Sequence, residues 1–152
     1  MTDPIQTTAE AHEAQAMPRA HAVHADPGVT SCEAQPLPRG VTHKPVEQKS
    51  PAEWAYERLI LYIKTFEEQL DNEHEVAMGF TGADAGVIRI EGIGFFDPDI
   101  VTFYGSDPAG TRTQLIQHVT QLNVMLRALP KGNTSAEPRR IGFRLAADLD
   151  AE

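Results

Sequence analysis

No Phe, Tyr or Trp occurs before Trp54, and every aromatic residue of this 152-residue chain lies in its last two thirds. The first third instead carries Pro4, Pro18, Pro27, Pro36, Pro38 and Pro45 among Ala, Glu, Gln and His. Burial there cannot offset the entropy of ordering the chain. Residues 1–49 are therefore expected to form a disordered tail, 50–147 one folded domain and 148–152 a frayed acidic end. Roughly 100 residues make a small core, marginal by itself. Association of copies is a natural source of further burial, so a homo-oligomer is expected.

The domain opens with SPAEWAYERLILYIKTFEEQLDN. Ser50 can cap, Pro51 suits the first helical position, and Glu53 stands three residues on, where a capping-box carboxylate reaches back. Ala55, Leu59, Tyr62, Ile63, Phe66 and Leu70 recur at three- and four-residue spacing, which predicts an amphipathic helix. The period then drops to two. HEVAMGF and VIRIEGI flank the turn residues TGADAG, FFDPD interrupts the pattern at Pro98, and IVTFYG resumes it before the turn SDPAG.

Two segments carry mixed signals. Thr111 to Ile116 reads as a fourth strand, while Leu115, Val119, Leu122, Leu126 and Leu129 fall at helical spacing, which predicts a helix over 117–128 ended by Pro130 and Gly132. In RRIGFRLAADL, Ile141, Phe143 and Leu145 alternate with Gly142, Arg144 and Ala146, which predicts a last strand. The expected fold is α+β: about five antiparallel strands and two helices in the order α-β-β-β-β-α-β, with the helices on one face.

A net charge of −9 argues against a nucleic-acid polymer as partner, since duplex binders carry a basic face. The single Cys32 allows no internal disulfide and no thiolate cage. With no apolar run of membrane length and no secretory h-region, a cytoplasmic protein without a membrane contact is expected.

Catalytic signals are sparse. His21 and His24 form an HxxH with no second ligand pair, so no metal is expected. His118 has no local acid, base or nucleophile beside it, and it reads with Gln117 as a structural residue at the junction where the fourth strand gives way to the second helix. Asp97 and Asp99 flank Pro98 as a turn requires, although paired carboxylates can also hold a cation or act as acid and base. GIGFF lacks the third glycine of a dinucleotide fingerprint, and no P-loop is present.

The cations stand out against the acidic background. Arg139, Arg140 and Arg144 crowd one segment, with Arg89 and Arg112 elsewhere, and guanidinium groups suit bidentate contact with phosphate or carboxylate. Phe95, Phe96, Phe103, Tyr104 and Phe143 offer flat faces for a base. Cross-strand ion pairs with Glu91, Asp97 or Asp99 are the competing use of the same residues.

SPAEWAYERLILYIKTFEEQL, IEGIGFFDPDIVTFYG, QLIQHVTQLNVMLRALPK and EPRRIGFRLA, taken in order, resemble a family of small bacterial and phage domains of unknown function, DUF6173, over residues 50–146. The pattern is also similar to the phage anti-Thoeris proteins, which bind a cyclic ADP-ribose-type signal and do not cleave it. That likeness implies a non-enzymatic sponge, dimeric or larger, with no cofactor and a small anionic nucleotide as partner. The ligand contacts expected on chemical grounds are Arg139 and Arg140 for a pyrophosphate and Asn123 for an adenine edge, with Arg112 and Phe143 as further candidates. A protein-interaction module and a hydrolase using His118 with Asp97 or Asp99 are the alternatives.

Overall fold

The computed structural model describes residues 20–38, 41, 48–80, 86–131 and 137–150. Its regular elements are α1 (Pro51–Glu68), β1 (His74–Phe80), β2 (Val87–Phe96), β3 (Ile100–Ser106), β4 (Arg112–His118), β5 (Val124–Pro130) and α2 (Ile141–Asp150). One 3-10 turn lies at Cys32–Ala34 and another, between β4 and β5, at Val119–Gln121. The strands form one antiparallel sheet in the order β4-β3-β2-β1-β5. The α+β class, five antiparallel strands and two helices stand as expected.

Two assignments need correcting. After the fourth strand a helical segment and then a strand do follow, but the helical segment is only the turn Val119–Gln121, and the strand is Val124–Pro130. The Leu-rich run carries both periods, and the open edge of β1 decides between them: all seven residues of β5 pair with it, from Val124↔Phe80 to Pro130↔His74. The expected last strand is instead α2. There the pattern Ile141, Leu145, Ala146, Leu149 is also helical, and Ala146 and Leu149 are buried. Leu149 anchors the final turn, so α2 continues to Asp150, beyond the expected boundary at 147.

Why α1 starts at Pro51 is visible in its cap. Ser50 Oγ accepts from Glu53 N–H at 3.0 Å and donates to Asp97 Oδ1 at 2.5 Å, so one hydroxyl ends the helix and ties it to the β2–β3 turn. Ala52 N–H adds a bond to Pro98 O, at 3.0 Å; the Asp97–Pro98 peptide is cis. Ile60 and Ile63 then point into a core shared with Val76, Met78, Phe80, Ile88, Ile90, Ile93, Val101 and Phe103. Phe80 meets Phe103 edge-on, with ring centres 5.0 Å apart.

The sheet is bent. β1 pairs with β2 only at Met78↔Ile88 and Gly79↔Val87, while β2 pairs with β3 from Arg89 onward, with a register shift between Ile90 and Gly92.

Packing also reaches upstream of residue 50. Val41 is buried, Leu37 packs against the core, and Lys49 is buried against Trp54 and Glu57. Gln69 Nε2 donates to Thr30 O at 2.8 Å, and Tyr62 donates its hydroxyl to Glu33. That bond pushes the Tyr62 hydroxyl up to about 12 and holds the Glu33 carboxyl below its usual value. Apart from Cys32–Ala34, residues 20–38 carry no regular helix or strand, as their composition predicts. The rest of the expected tail (1–19, 39–40 and 42–47, with His12 and His43) lies outside the described residues. No helix among the described residues is long and apolar enough to cross a membrane.

Candidate functional site

The sheet has two unlike faces. Alternation along each strand sends one set of side chains toward α1 and α2 and the other set to the open side. On the open side of β2–β4, register places Gly92 beside Tyr104 and Gln114, Gly94 beside Thr102 and Ile116, and Phe96 beside Ile100 and His118. Arg112 stands opposite Ser106, two residues from Gln114 and on the same face.

Glycine shapes this face. A Cβ at Gly94 would fall 2.8 Å from Thr102 Oγ1 and 3.8 Å from Tyr104 Cε2, and one at Gly92 would lie 3.6 Å from Tyr104 Cδ2. The Tyr104 ring thus lies across two bare backbones, and at Gly94 a side chain would collide with Thr102. Tyr104 is 43 % exposed, and Ile116 at 61 % and Phe96 at 76 % lie further along the same face. Gln114 and Arg112 are exposed at the rim.

The expected ligand contacts do not converge. Arg140 Nη1 donates to His74 O and Nη2 to Asp71 O, both at 2.7 Å, which fastens the segment before α2 to the start of β1. Arg139 gives its backbone N–H to Glu75 Oε2 at 2.5 Å, and its exposed guanidinium stands 3.8 Å from Glu91. Arg89 bridges Glu75 Oε1 and Pro130 O, each at 2.8 Å. These arginines hold β1, β5 and the approach to α2 together. Asn123 is exposed at the far end of the β1–β5 pair, about 15–20 Å along the strands from Glu75. Arg112 is on the opposite edge strand. Phe143 lies in α2, and its side chain is outside the described set.

His118 and Gln117 sit where β4 gives way to the 3-10 turn. His118 Nδ1 accepts from Thr120 N–H at 3.2 Å and lies 2.8 Å from Thr120 Oγ1, while Gln121 Oε1 accepts from His118 N–H at 3.0 Å. With Nδ1 accepting, Nε2 carries the proton and donates it to Asp99 Oδ2 at 3.0 Å. Both ring nitrogens are engaged in closing the turn, and Asp99 O also accepts from Val119 N–H at 2.8 Å. Of the two carboxylates that the hydrolase alternative sets beside His118, Asp99 is the one in contact, across 19 residues of chain. Gln117 faces inward opposite Val101, and its buried Oε1 meets no donor among the described residues.

On the helix side the groups are charged but enclosed. Glu67 on α1 accepts from Gly142 N–H at 2.5 Å and Ile141 N–H at 3.0 Å, so its carboxylate caps α2 from another helix. Burial pushes its pKa up to about 7, against the pull of those amides and of Arg140. Between α1 and β5 runs an apolar groove of about 360 Å³ lined by Leu59, Tyr62, Leu122, Val124 and Leu126. Cys32, where the upstream segment meets α1, has its thiol pushed up by burial. Among the described residues, no group of three or more His, Cys, Asp or Glu is placed to hold a metal ion.

Compared with known proteins, the chain matches no curated protein and no solved structure. A family model does match, over residues 45–144, from just before the cap of α1 into the first turn of α2. That span takes in the whole sheet, the Asp97–Asp99 turn and the His118 junction, so the chain belongs to the family of unknown function DUF6173.

Proposed function

We propose that this protein is a non-enzymatic binding module for a small anionic ligand bearing a flat ring, of the cyclic nucleotide class, and that it acts as a homo-oligomer. The observation that carries this reading is the juxtaposition of Tyr104, Gln114 and Arg112 on the open face of β3 and β4. An aromatic ring held flat over glycine backbones offers a stacking surface. One strand away, an amide can read a base edge, and two residues further a guanidinium can hold a phosphate. This retains Arg112 from the expected contacts and replaces Arg140, whose guanidinium is taken up by the His74 and Asp71 carbonyls, and Arg139, which faces Glu91 away from Tyr104 and Gln114. A ligand held there is sequestered rather than converted, as for a cyclic ADP-ribose-type immune signal.

Titration calorimetry with cyclic ADP-ribose isomers and cyclic dinucleotides tests this directly. Binding is expected, weakened about 10- to 100-fold by Tyr104→Ala and less strongly by Arg112→Gln. Absence of heat with every one of these ligands at micromolar protein would overturn the reading.

A polypeptide partner is the second reading, favoured by the exposure of Phe96 and Ile116 on the same face. A stoichiometric protein recovered with the wild type and lost with Ile116→Lys, alongside silent calorimetry, would favour it.

A further inference from the structure

We infer that two copies of this chain pair through their β5 strands, antiparallel about a two-fold axis at Leu126. The inference rests on the homo-oligomeric part of the reading above and is independent of the ligand.

β5 ends the sheet. Its seven residues pair with β1 on one side, and no described residue pairs with the other. An open edge of that length is a template for another strand. Pro130 has no N–H to give, which confines useful pairing to 124–128, a stretch centred on Leu126.

Self-pairing about Leu126 satisfies each neighbour. Val124 then faces the second copy's Ala128, and Leu126 faces Leu126. All of these lie on the helix side, where Val124 and Leu126 line the apolar groove with Leu59, Tyr62 and Leu122. A strand laid beside β5 places alternate side chains over that groove, so the two grooves close on each other. On the open side Met125, 55 % exposed, faces the second copy's Arg127, whose aliphatic stem can cover it.

Charge selects this edge as well. The chain carries a net −9, so copies repel in general, but β5 bears one ionisable side chain, Arg127, and in this register it meets methionine rather than another arginine. The opposite edge, β4, brings the polar Thr113 and Gln117 to the helix side around Leu115. A two-fold interface is also self-limiting: it closes with two copies and leaves no β5 edge exposed.

The test uses the full chain with Cys32→Ser, which removes its single thiol. Adding Leu126→Cys sets two sulfurs across an antiparallel pair whose Cα atoms are roughly 4.5–5.5 Å apart, within disulfide reach. Oxidation is expected to give a covalent dimer. Because Leu126 helps line the groove, a second pair of variants at exposed positions avoids any cost to folding. Met125→Arg sets like charges opposite each other twice and should raise the dimer dissociation constant about tenfold. Arg127→Glu added to it should restore the dimer. A monomeric wild type by light scattering overturns both the inference and the oligomeric reading. An oligomer of any size that ignores Met125→Arg and yields no Leu126 cross-link overturns this interface alone.

Discussion

The two faces of the sheet are built on opposite terms. Facing the helices, ionisable groups are enclosed and matched: Lys49 and Glu57, with side chains 0 % and 4 % exposed, pair at 2.9 Å, and Lys49 also donates to Val41 O and lies over the Trp54 ring. Facing solvent, large apolar side chains stand over glycine with little beside them. Burial presses the polar groups of the first face to find partners, because an unpaired one is costly, although Gln117 Oε1 meets none among the described residues. The contrast sets enclosed, paired charges on the helix side against exposed apolar side chains on the open face of β2–β4.

Mutations can break that division, beginning with the largest effect. Glu57→Gln strands a buried ammonium and should cost about 3–5 kcal/mol in chemical denaturation. Gly142→Ala comes next: its Cβ would fall 2.8–2.9 Å from the Lys64 backbone and against the Glu67 carboxylate, prising α2 from α1 for about 1–3 kcal/mol. His118→Ala removes the cap of the Val119–Gln121 turn and the bond to Asp99, and is expected to cost about 1 kcal/mol of stability. Arg112→Gln, on the open face, should leave stability within about 0.5 kcal/mol while weakening ligand binding. If Arg112→Gln destabilised the fold as much as Gly142→Ala, the division would not hold.

A pH titration sharpens the same contrast. The Glu67 pKa is about 7 in the folded protein against an ordinary 4.5, so the folded state holds this proton more tightly than the unfolded chain. The associated stability is fully present below pH 4.5 and is lost as pH rises toward 7 and beyond. Denaturation midpoints measured across that window should therefore fall with rising pH, and Glu67→Gln should remove that part of the slope.

How far the sequence revealed these features depended on the distance between the residues that make them. The cap of α1 is local, and Ser50 and Pro51 were readable side by side. The strands β1 to β4 showed themselves by alternation and by the turns FFDPD and SDPAG. The last two elements were misassigned because a short apolar run fits either period, and only remote partners choose. β1 needed a strand from Val124–Pro130, and Glu67 offered a cap to Ile141 and Gly142. The candidate site divides in the same way. Arg112 and Tyr104 were visible as chemistry, but Gln114 gained meaning only when pairing set it beside Tyr104. Arg139 and Arg140 looked like an anion clamp because nothing in their neighbourhood of sequence announces the carbonyls of Asp71 and His74.

The cap that Glu67 supplies to α2 crosses 75 residues of chain. A ribosome releases α1 long before α2, so for most of synthesis this carboxylate has neither of its amides. It waits in water, ionised, on a helix that already has an apolar face to hide. Only when α2 emerges can the acid turn inward, so this part of the core closes after residue 142 has left the ribosome, and a chain stopped before residue 141 would keep a charged seam where the folded protein has a sealed one.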